Sequence, residues 1–134
     1  MLNKKRLKNL SLLKNKELLN QQKEISTLDE EHRRNRTNKK KLSDILENTK
    51  INHTELAVNI REKSQYKLRL IEQIYISDNR EKFLNVEIVR AKKNLSKLIK
   101  EKDLVDLKIK SLTQLEKIAQ ENKLINSMPP KRNN

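Results

Sequence analysis

Two histidines, His32 and His53, and a short acidic group, Glu101, Asp103 and Asp106, are the residues whose types could hold a metal or move a proton. The histidines stand 21 residues apart, three heptads along one stripe. On a single helix that spacing separates them by about 30 Å, too far to share an ion or a substrate. The acidic group sits among Lys100, Lys102, Lys108 and Lys110. Opposite charges interleaved in that way make a solvated helix face rather than an acid–base pair. The chain has no Gly and no Cys, so it offers no glycine-rich phosphate loop, thiolate nucleophile, Cys-based zinc site or disulfide. The residues predict no catalytic site, no cofactor, no metal and no small-molecule substrate, and therefore not an enzyme.

Charge is the stronger signal. Lys and Arg number 32 against 18 Asp and Glu, a net +14, and residues 1–41 hold 13 of those cations with only 5 carboxylates. Such a field attracts polyanions or acidic protein surfaces. The run from Arg33 to Lys41 concentrates six cations, Arg33, Arg34, Arg36, Lys39, Lys40 and Lys41. On nucleic acid it would supply up to six phosphate contacts and strongly salt-dependent binding. It lacks the interleaved aromatics that stack single-stranded bases, and no zipper regular enough for a basic-zipper dimer follows it. An acidic protein surface is the preferred partner. Nucleic acid and a merely solvated helix are the competing readings. The segment from Leu2 to Leu19, with Leu7, Leu10, Leu13 and Leu18 on one side, would serve as a membrane-surface helix or equally as a partner-facing one.

The elements that must carry these residues are helices. Both prolines, Pro129 and Pro130, lie in the last six residues, so nothing upstream is a strong helix breaker. Hydrophobic residues make up 34% and charged residues 37%, with three aromatic rings, Tyr66, Tyr75 and Phe83. That composition suits a thin Leu/Ile seam rather than a thick core. Alternating steps of three and four trace one register through Leu18, Ile25, Leu28, His32, Asn35, Lys39, Leu42, Leu46, Thr49, His53, Leu56 and Ile60. A second runs through Leu84, Ile88, Ala91, Leu95, Leu98, Lys102, Val105, Ile109 and Leu112, and then shifts to Leu115, Ile118 and Ala119. Residues 29–41 have no apolar side chain. Helix and loop compete there, and the absence of Gly and Pro favours helix.

Between the registers, Ser77-Asp78-Asn79-Arg80 is the predicted turn, Asp78 and Glu81 having capping-box spacing. The fold class is then all-α: a long two-helix antiparallel coiled-coil hairpin with an overhanging N-terminal helix end. Its parts are a first helix over 1–76, a turn over 77–80, a second helix over 81–126 and a flexible basic tail over 127–134. The longest apolar runs are three residues, short of a membrane span or a signal peptide. A cytoplasmic location is expected, peripheral at the inner face of the membrane through partners.

A Lys-rich chain of this length with one long hairpin, no Gly and a charged terminal overhang resembles the central stalk proteins of type III secretion and flagellar export ATPases. The resemblance is one of architecture and size over most of the chain. It implies a coiled-coil rod coupling a hexameric ATPase to a membrane export gate. Lys4, Lys5, Arg6, Lys8, Lys117 and Lys123 would face acidic pore loops, and Tyr75, Phe83, Leu84 and Ile88, near the turn, would face the gate. A nucleic-acid-associated coiled coil and a coiled-coil scaffold or tether are the alternative functions.

Overall fold

The computed structural model describes residues 3–49 and 56–128, and these form two helices, α1 (Lys4–Asn48) and α2 (Ala57–Ser127). No strand occurs among the described residues. Asn3 opens α1 as its N-cap, its Oδ1 accepting from the Lys5 N–H at 3.2 Å. The end of α1 tightens at Thr49, whose N–H donates to the Leu46 carbonyl and whose hydroxyl donates to the Ile45 carbonyl. Ser127 closes α2, two residues before the Pro129-Pro130 pair that could not continue it.

The helices run antiparallel in each of two compact units. In the unit holding both helix ends (residues 1–20 with 95–134), Lys4 pairs with Glu116, Ser11 with Asp106 and Lys14 with Glu101. In the other (residues 21–94), Gln21 reaches Ala91 and Asn35 reaches Ser77. The covered stripe of α1 follows a strict three–four alternation from Lys4 through Leu7, Ser11, Lys14, Leu18, Gln21, Ile25 and Leu28 to Thr49. That of α2 does the same from Ile60 through Leu70, Ile74, Ser77, Glu81 and Leu84 to Leu112.

The predicted turn is overturned. Residues 77–80 lie inside α2, α1 ends at Asn48 and α2 begins at Ala57, so neither 1–76 nor 81–126 is a single element. The physical reason is the polarity of the seam. Ser77 and Glu81 looked like a lost register because they are polar, but they keep its spacing and meet the equally polar His32, Asn35 and Lys39. Residues 29–41 are helix, the favoured reading, and their wet stripe faces this matching stretch. Of the first register, Leu56 is exposed and His53 lies outside the described residues. The predicted tail lies mostly outside them too, Ser127 ending α2.

Two other expectations change. Upstream of Leu18 the seam is Leu7, Ser11 and Lys14, while Leu10 and Leu13 point outward. The overhang belongs to the other end of the chain: Lys4, at the start of α1, is already level with Glu116, and every described residue from Thr113 onward is exposed.

Register is set by size and polarity together. The amides of Gln21 and Asn35, two heptads apart, donate to the carbonyls of Ala91 and Ser77 at 3.2 and 2.9 Å. Both carbonyls belong to small residues, and the missing side-chain volume lets an amide reach the backbone behind them. Midway, the same spacing sets Leu28 level with Leu84, which is 0% exposed. A polar residue in a seam fixes alignment at a cost in stability, since any slip strands its hydrogen bond.

Candidate functional site

Among the described residues no group of His, Asp and Glu could hold a metal ion. His32 sits in the seam of α1, its Nε2 buried without a hydrogen-bond partner and 3.8 Å from Glu81 Oε1, beyond hydrogen-bond range. Of the acidic group, Asp106 and Glu101 are seam-edge acceptors. Asp106 takes 2.7 Å hydrogen bonds from Ser11 Oγ and Lys102 Nζ, and Glu101 takes one of the same length from Lys14 Nζ. Each carboxyl is held below its ordinary pKa by these donors, Lys102 foremost at Asp106 and Lys14 at Glu101. The Glu101 hydrogen bond in turn raises Lys14.

The basic run divides by helical face. Lys39 turns inward and pairs with Asp78 and with Glu81, the Asp78 hydrogen bond first among the causes that raise its pKa. Arg33 and Arg34 fold back on Glu30 of the same helix, and the bond from Arg33 lowers the Glu30 carboxyl. Arg36, Lys40 and Lys41 face outward and enter no ion pair among the described residues. Arg36, Lys39 and Lys40 border an open groove with Thr37, Ser43 and Glu81.

The cations of the terminal cluster belong to one unit. Lys4 is taken by Glu116, whereas Lys5, Arg6, Lys8, Lys117 and Lys123 are exposed and unpaired among the described residues. The group assigned to the turn does not lie at one. Leu84 is wholly shielded and Ile88 half-buried in the seam, because both occupy its three–four positions. Tyr75 and Phe83 are exposed in mid-helix, and Arg80 lies over the Phe83 ring at 5.2 Å from its centroid.

Sequence reasoning missed two features. The first is that carboxylates in and beside the seam are matched to seam cations, as at Glu116, Asp106, Glu101, Asp78 and Glu81, so that the surplus positive charge faces out. The second is apolar side chains off the seam. Only Leu7, Leu70, Leu84, Ala91 and Val105 are buried, against 23 exposed large hydrophobics among the described residues. Leu104 and Leu107 are two of these, outside the register yet spaced like a register of their own, and that spacing was the available signal. No helix of the described residues is long and apolar enough to cross a membrane. No family model matches the chain, and no match emerges among curated proteins or solved structures.

Proposed function

We propose that this chain is a non-catalytic coiled-coil adaptor that docks on acidic protein surfaces through its outward basic faces. The observation that carries the proposal is the division of charge. Carboxylates in and beside the seam neutralise Lys4, Lys14, Lys39 and Lys102, while Lys5, Arg6, Lys8, Arg36, Lys40 and Lys41 stay outward and unpaired among the described residues. An array of this kind steers an acidic partner during encounter and fixes its orientation.

The stalk of a type III export ATPase is the specific assembly we infer from the resemblance. The gathering of both chain ends and their cations in one unit supports it. In that assembly Leu84 and Ile88 have no gate-facing role, since the seam covers them, and Tyr75 and Phe83 remain outward. A cytoplasmic location belongs to the same proposal. The second reading, a nucleic-acid-associated coiled coil, is favoured by Arg36 and Lys40 beside an open groove.

Affinity capture of the tagged chain from its native cells, at about 0.15–0.2 M salt with nuclease present, separates the readings. The adaptor reading predicts a protein partner that survives nuclease and is lost on joint reversal of Lys5, Arg6 and Lys8 to Glu. Recovery of a hexameric ATPase with an export-gate component would support the stalk assembly. Binding abolished by nuclease would overturn the adaptor and place Arg36, Lys40 and Lys41 on phosphates.

A further inference from the structure

The last stretch of α2 has more apolar surface than the hairpin covers. Its inner side, Val105, Ile109 and Leu112, packs in the seam. Leu104, Leu107, Leu115, Ile118 and Ile125 are each more than half exposed, and Ser111 and Asn122 are the polar positions between them. At about 100° per residue these seven fall within roughly 80° of one another, on a face roughly 130° from the seam. They form a second stripe, continuous over residues 104–125, about three heptads and so long enough to sustain a coiled coil. Leu7 of α1 only borders its start, beside Leu104, Leu107 and Ser111, and every described residue from Thr113 onward is exposed.

Charge identifies the occupant. A partner recruited by positive charge would find little of it here: residues 104–125 hold four cations and three carboxylates, a net +1 in a chain of net +14. Two copies approach along this segment with little net repulsion. Its charges are also self-complementary in an antiparallel pair. Laid head to tail about Leu115, two stripes set Leu104 against Ile125 and Ser111 against Ile118 of the other copy. On one flank Lys110 then falls opposite Glu121, and the two-fold axis repeats that pair. Both residues are exposed and enter no ion pair among the described residues.

We infer that the chain self-associates into an antiparallel dimer through the 104–125 stripe of α2, a second copy covering the apolar face that α1 leaves open. Dimerisation would present two sets of outward cations to a partner, raising avidity without a new contact.

The test uses the purified full chain and needs no external partner, so it stands apart from the capture experiment. Sedimentation equilibrium from 1 to 200 µM gives the association constant, and circular dichroism verifies helicity; all substituted side chains are exposed, so the hairpin is retained. The expected result is a reversible dimer that Ile118→Glu abolishes. Lys110→Glu and Glu121→Lys should each weaken it about tenfold, and the two together should restore it. A monomer throughout the range overturns the inference, as does a dimer that Ile118→Glu leaves intact. Failure of the double reversal to restore association overturns the antiparallel arrangement.

Discussion

Asp106 shows how a side chain that looks like a candidate base becomes a structural acceptor. It lies between Ser11 of one helix and Lys102 of its own, and those two donors hold its carboxyl below the usual value. Glu101 is held down likewise by Lys14. Both carboxyls therefore bind protons less readily folded than unfolded. Their contribution is complete above roughly pH 5 and disappears as pH falls below about 4. Urea midpoints should drop over that window, and Asp106→Asn should flatten the drop; an unchanged slope would remove Asp106 from the account. His32 gives the opposite case. Its buried Nε2 has no hydrogen-bond partner, so His32→Leu is expected to raise stability by about 1 kcal/mol in the same urea titration. A loss would mean that the ring makes a contact of value at the seam.

The break between α1 and α2 was the element least legible in the sequence. Leu84 to Leu112 and Leu18 to Thr49 could be read from spacing alone, because three–four alternation survives at most of those positions. The path through residues 77–81 could not, since a polar seam and a lost seam look alike until the opposing helix is known. Only the pairing of Asn35 with Ser77 and of Lys39 with Glu81 shows that the polarity is matched. The signal for the true break was a run of weak helix formers, Asn48, Thr49, Asn52, His53 and Thr54. The outward and inward members of the basic run were likewise unreadable before the register was anchored. A proline distinguishes the two placements of the turn. At Asn79, an exposed position within α2, Asn79→Pro should cost about 3 kcal/mol or more and lower the helical signal. Tolerance of proline there would restore a turn at 77–80.

The function proposed for the chain depends on which residues the hairpin hides. The outward cations and the free stripe of α2 are both defined by the antiparallel pairing of α1 with α2 within each unit. Four polar contacts anchor it, two in each unit: Ser11 to Asp106, Lys14 to Glu101, Gln21 to Ala91 and Asn35 to Ser77. The chain has no cysteine, so cysteines introduced in pairs report that alignment without background. The most direct measurement is disulfide closure in dilute solution, read by mass and non-reducing mobility. Ser11→Cys with Asp106→Cys, and Asn35→Cys with Ser77→Cys, should each close within a single chain. Ile74→Cys with Leu84→Cys should stay open, because ten residues of continuous helix separate that pair by about 15 Å. Closure of the 74–84 pair, with the other two remaining open, would place the turn at 77–80 and contradict the account.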